Sequence, residues 1–299
     1  MSRPNRNDRR FEPSDPPLPT WWLVFSRESN ELWMGGKALT LLLIYTVLLG
    51  VYSYLMASNN LVSLMPPNEM VYELMNASIG VGLFIGLIIG AGSLSGDRER
   101  ATLEGLLLTP ASRRQIMVGK FLAALSPWPV ALGITVPYAK LLSHGDEVFG
   151  PAVLLCALLG SLLAAGFTGL GMLVSFWCST NKSSMFVSLT FYTLLLLPAQ
   201  LPGGSRLYLG ALDVSRLNPI ESTTWILTKM LMDSRPFGEV RGWLAAPVVF
   251  VLLIAGLLFL YAGPGLRLEP GTFDGSHLGR LLGLWGRLVP WRRTPRLES

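Results

Sequence analysis

Long apolar blocks separated by short polar segments set the class of this chain. Six blocks, roughly 38–57, 79–94, 116–138, 151–177, 185–201 and 244–262, contain no Asp or Glu. Each approaches or exceeds the ~20 residues that cross a hydrocarbon core of ~30 Å at ~1.5 Å per residue. Lys120 is the single formal charge among them, and its place near one end predicts a side chain that snorkels to the interface. One such block could be a buried helix of a soluble domain. Six predict an all-α integral membrane protein with six transmembrane helices.

The shorter patterns fill in the rest. From Trp21 to about Met34, Trp22, Phe25, Ser29, Leu32 and Trp33 fall on one side of a helix and Arg27, Glu28, Asn30 and Glu31 on the other. This predicts an interfacial helix that ends at Gly35-Gly36. Gly82, Gly86 and Gly90 share one face of the second span, where a neighbouring helix can approach closely. Ser126-Pro127-Trp128-Pro129 and Pro137 predict a kinked or broken third span, since each proline removes a backbone hydrogen bond. Asn218-Pro219-Ile220-Glu221 is a helix start with an asparagine cap and proline at the first position. The helix it opens, to about Met232, is too short to span, so a re-entrant or outer helix before span 6 is expected. Leu278, Leu281, Leu282, Trp285, Leu288 and Val289 alternate with Arg280 and Arg287, a second interfacial pattern near the C-terminus.

Charge then orients the spans. Only 14% of the 299 residues are charged, where soluble domains carry about 25%. With the N-terminus cytoplasmic, 18 of the 24 Lys and Arg fall on inside segments and six outside. The asymmetry predicts both termini in the cytoplasm. The pI near 9.4 is therefore a topology signal, and no nucleic-acid partner is expected. Residues 1–19, with four Arg and five Pro, read as a cytoplasmic tail without a cleavable signal peptide. Cys156 and Cys178 lie near opposite ends of one span and cannot pair. They read as small apolar fillers.

Chemistry is sparse. His144 and His277, the only histidines, lie outside the spans, so Ser93 and Ser95 in Gly92-Ser-Leu-Ser-Gly96 have no intramembrane base. The apolar blocks hold no Asp, Glu or His for proton coupling. Gly35-Gly36-Lys37-Ala38 lacks the spacing and hydroxyl of a phosphate loop. No catalytic residue, metal site or cofactor is expected in this chain.

The informative segment joins spans 2 and 3. Asp97, Arg98, Glu99 and Arg100 open it, Leu103, Leu106 and Leu107 form a short apolar stripe with Thr102 and Glu104 beside them, and Pro110 ends it. Ser112 with Gln115 makes a capping box for the next helix, ahead of Arg113. The pattern predicts a short amphipathic helix on the cytoplasmic side, held between two spans, able to pass force from a soluble partner. Asp97, Glu99 and Glu104 add carboxylates to that docking face.

The string from Glu99 through Thr102-Leu103-Glu104, Leu106-Leu107, Pro110, Ser112-Arg113 and Gly119-Lys120 resembles the first cytoplasmic loop of the permeases of the ABC type-2 exporter family. Asp97 stands for the family's first acidic residue, while Ala101 and Gly105 depart from its pattern. Asn181-Lys182, Leu197-Pro198 and Leu217-Asn218-Pro219 are weaker echoes, and the resemblance covers about 20–265. It implies a six-helix permease domain over 20–265, followed by a cytoplasmic amphipathic tail over 266–299. It also implies a coupling helix docked on a separate ABC ATP-binding subunit, which would hold ATP and Mg. A second permease copy, identical or related, would complete an exporter in the lipid bilayer of the inner membrane. A membrane assembly or anchor protein of the same fold is the competing reading, and an intramembrane enzyme a weaker one. Substrate identity is open.

Overall fold

The computed structural model describes residues 19–58, 65–100, 112–143, 147–200, 208–209, 212–213 and 216–261. The tail readings at the two ends, Pro19 apart, lie outside these residues. So does the stripe of Thr102, Leu103, Glu104, Leu106 and Leu107 with Pro110.

Helix α1 (Thr20–Met34) ends at Gly35 and Gly36. Gly36 takes φ +78, a left-handed turn that glycine adopts without a Cβ clash, and α2 (Lys37–Ser58) leaves from it. α3 (Pro67–Glu99) runs 33 residues, close to 50 Å at ~1.5 Å per residue. Next come α4 (Arg113–Leu125), α5 (Pro127–Leu142), α6 (Phe149–Trp177) and α7 (Asn181–Gln200). A two-residue antiparallel ladder, β1 (Tyr208–Leu209) with β2 (Leu212–Asp213), precedes α8 (Pro219–Leu227). α8 continues as a π-helical turn over Thr228–Met232. α9 (Phe237–Val240) and a 3-10 turn lead into α10 (Ala245–Tyr261).

Among the described residues, five helical segments are long and apolar enough to cross a membrane: Lys37–Ser58, Pro67–Glu99, Arg113–Leu142, Phe149–Trp177 and Phe237–Leu260. The block expected as a further span forms α7. Its 20 residues reach ~30 Å, but Ser183, Ser184, Ser188, Thr190 and Thr193 dilute its hydropathy. The chain is an all-α, multi-pass membrane protein.

One boundary differs from the sequence reading for a physical reason. α3 begins at Pro67, not near residue 79. Pro67 follows the extended Pro66 and opens the helix, and Met70, Val71, Leu74 and Met75 bury on the bundle side. Glu69, Glu73 and Asn76 on the same turns hid this extension from a hydropathy scan. Consequently a carboxylate, Glu73, does stand within a long membrane helix. The third span is interrupted at Ser126, as its prolines predict. Pro127 has no N–H, while the Ser126 N–H and hydroxyl both bond the Ala123 carbonyl, at 3.2 and 2.8 Å.

The core is built on α3 against α6. Small residues let the two backbones meet. A Cβ on Gly86 would lie 2.6 Å from Thr168 Oγ1, one on Gly90 would fall on the Thr168 carbonyl oxygen, and one on Gly171 on the Leu87 carbonyl oxygen. Gly82 and Gly160 face opposite edges of the Trp128 ring, whose Nε1 donates to Ser161 Oγ at 2.9 Å. The Gly82, Gly86 and Gly90 face is thus filled by α5 and α6 of the same chain and leaves nothing there for a second copy. Around this core, Tyr45, Ser78 and Thr135 join α2, α3 and α5 through three buried hydroxyls at 2.6–2.8 Å. Such a closed cluster satisfies polar groups that lipid would leave bare.

Candidate functional site

The end of α3 carries four consecutive charged residues, and helical geometry sends each toward a different neighbour. Asp97 Oδ2 meets Lys120 Nζ of α4 at 2.5 Å. Arg98 Nη1 donates to the Cys178 carbonyl, which follows α6, at 2.8 Å. Glu99 Oε2 accepts from the Asn181 N–H at the start of α7, at 3.1 Å. A carboxylate there also suits the positive end of the α7 dipole. Arg100 pairs with Glu31 of α1 at 3.1 Å. Asp97 and Glu99, read from the sequence as part of a docking face, also bond within the chain, because α3 carries on past residue 94 and brings them among other helix ends; Asp97 is largely covered and Glu99 stays exposed.

Lys120 is the centre of this arrangement. Its side chain is fully buried, so it does not snorkel. Nζ reaches Glu28 Oε1 at 2.7 Å, Asp97 at 2.5 Å and the Ser93 carbonyl at 3.3 Å. Three donors thereby meet three acceptors, the condition under which a buried ammonium is tolerated. Burial pushes the Glu28 carboxyl up from its ordinary range, against the pull of Lys120. Asp97, nearer to the ammonium, is therefore the principal counter-ion and Glu28 the second.

This places α1 differently from the sequence reading. Glu28 does not belong to a solvent face. Val24 packs on Gly119, where a Cβ would come within 2.8 Å of the valine, and the Val24–Glu28 side lies along α4. Trp22 and Leu23 remain exposed on the opposite side, available to the headgroup region. Trp33 Nε1 donates to Ser126 Oγ at the break of the third span, 3.0 Å away. α1 is thus tied to α3 and α4 through its polar residues.

Segment 101–111 leaves this clamp and re-enters at a second fixed point. Ser112 Oγ accepts from the Gln115 N–H at 3.3 Å, and Gln115 Oε1 accepts from the Ser112 N–H at 3.1 Å, a complete capping box. Arg113 and Arg114 are exposed on the first turn, with the Arg114 guanidinium 4.1 Å from the Phe259 ring centre of α10. Beside the clamp a cleft of about 740 Å³ opens between α1, α2, α3, α4 and α7, with Glu31, Lys37, Gly92, Arg100 and Asn181 in its wall. Among the described residues no group of three or more His, Cys, Asp or Glu could hold a metal. Cys156 and Cys178 are both free and buried.

Sequence reasoning named the charged run and the capping box but not the clamp. The signal was present: a lone Lys in an apolar block requires a carboxylate at the same depth, and Glu28 and Asp97 were the nearest candidates on flanking helices.

The model of the ABC-2 family transporter proteins matches residues 24–263, and the chain belongs to that family. It is accordingly a transmembrane permease component of an ABC transporter. Comparison with curated proteins gave no match.

Proposed function

We propose that this chain is the permease subunit of an ATP-driven exporter, moved by a separate ABC ATP-binding subunit that docks on segment 97–113. Two permeases and two ATP-binding subunits form the transporter, ATP and Mg stay with the partner, and this chain performs no hydrolysis. The supporting observation is the mounting of segment 101–111: four side-chain anchors before it, each on a different helix, and a capping box after it. A load applied there passes to α1, α4, α6 and α7 together. The docking face itself is carried by Leu103, Glu104, Leu106 and Leu107. The test is co-expression with an ATP-binding subunit. A two-plus-two assembly by native mass spectrometry is expected, whereas a stable chain that never recruits an ATPase contradicts the reading.

The same reading gives α7 as a sixth span, places the 101–111 end in the cytoplasm with both termini, and assigns the protein to the inner membrane. Single cysteines at Ser63, Gly145 and Gly204 in a Cys-free background are expected to react with an impermeant maleimide in intact cells. Cysteines at Ala111 and Ser183 are not. Labelling at Ala111 from outside reverses the orientation.

A further inference from the structure

A second cavity, of about 410 Å³, lies toward the opposite end of the bundle, between α2, α3, α6, α7 and α8. Its size suits a small organic ligand. Its walls are mostly apolar, with Phe84 and Tyr192 rings 5.9 Å apart on one side and Tyr52, Asn76 and Thr224 supplying polar atoms. The Tyr192 hydroxyl is committed to the Gly80 carbonyl at 2.7 Å and Thr224 donates to Asn76 Oδ1 at 3.2 Å, so both walls are fixed in place.

One charged side chain enters this lining: Glu73, half-buried in the second turn of α3. Its described partner is the Tyr52 hydroxyl, which donates to the carboxylate. None of the ion pairs among the described residues includes it. The contrast with Lys120 is instructive. There a buried charge is matched by opposite charges of the chain, and here a carboxylate faces an apolar, aromatic cavity with no opposite charge paired to it among the described residues. An arriving cation would supply the missing charge and favour the ionised carboxylate. The Phe84 and Tyr192 faces would attract the same cation through their ring quadrupoles.

We propose that this cavity binds an organic cation with an apolar body, its charge at Glu73 and its body against Phe84 and Tyr192. The inference deepens the exporter reading by assigning a chemical class to a ligand of the permease, and in that sense rests on it.

The test uses the purified full-length chain in nanodiscs and a size-matched pair of probes, tetraphenylphosphonium and tetraphenylborate. Displaceable binding of labelled tetraphenylphosphonium is expected, with unlabelled tetraphenylborate a poor competitor. Glu73→Gln should weaken binding about tenfold or more, as loss of a charge-assisted contact does. Glu69→Gln, one turn away and outside the lining, should leave it unchanged. Gly80→Leu, which fills the cavity without touching the carboxylate, should abolish binding and guards against a folding defect peculiar to Glu73→Gln. Absence of displaceable binding, equal competition by tetraphenylborate, or unchanged affinity in Glu73→Gln overturns the proposal. No ATP-binding subunit is present in the assay, so failure here leaves the recruitment experiment standing, and failed recruitment leaves this result standing.

Discussion

Gly90→Leu is expected to abolish the folded, monodisperse protein in detergent, as read by fluorescence-detected size exclusion. The reason is what the new side chain meets. A Cβ on Gly90 falls on the Thr168 carbonyl oxygen and comes within 3.2 Å of the Met172 nitrogen. Both are backbone atoms of α6, and neither can turn aside. Ordinary overpacking costs about 1–3 kcal/mol because side chains shift rotamer; here two helices of the central core must separate. In lipid no hydrophobic force draws them back, so the lost close packing is lost outright. Gly171→Leu, which meets Leu87 and Ala91 backbone from the other side, should fail equally. Gly86→Leu and Gly82→Leu meet the Thr168 and Trp128 side chains and should be milder. Gly133→Leu, with nothing within 4 Å of its Cβ, should behave as the native chain. Wild-type yield from Gly90→Leu would remove the α3–α6 contact as the core.

The second large effect is expected at Lys120. Lys120→Met leaves Asp97 and Glu28 without their common cation, and removing one partner of a buried pair costs about 3–5 kcal/mol. Asp97→Asn should also destabilise, Glu28→Gln less so, because burial raises the Glu28 carboxyl above its ordinary range and so makes its charged form the more costly of the two to keep. Combining Lys120→Met with Asp97→Leu should recover a good part of the loss, since the pair is then removed together. A double-mutant cycle on thermal stability is expected to give a coupling energy of about 1–3 kcal/mol. Strict additivity would mean that the two groups do not act as a pair.

The parts of this fold that were legible in the sequence share a cause: they follow from local patterns. The Asn218 cap, with its side chain accepting from Ile220 and Glu221, was readable because a cap satisfies nearby backbone groups. The Ser112–Gln115 box and the break at Pro127 were readable for the same reason. The misread parts depend on contacts distant in sequence. Hydropathy could not see that Glu69 and Glu73 ride on half-buried turns of a longer helix, nor that each charge at 97–100 meets a partner on a different neighbouring segment. Periodicity placed Glu28 on a solvent face because it does not record that α4 lies beside α1, with Gly119 giving room for Val24. The glycine stripe announced a close helix neighbour but could not say whose. The backbone of α6 answers that.

The proposed function puts the recruitment of an ATP-binding subunit at segment 101–111, between the clamp and the capping box. The measurement that tests it most directly is stimulation of the ATP-binding subunit by the permease carrying Leu103→Asp, beside the native chain. A buried leucine at a docking face contributes about 1.5–3 kcal/mol, which corresponds to roughly tenfold or more in docking. The expected result is a folded, membrane-inserted protein, unchanged by size exclusion, that no longer retains the ATP-binding subunit or stimulates its hydrolysis. Native co-purification with native stimulation in the Leu103→Asp protein would contradict docking at this segment.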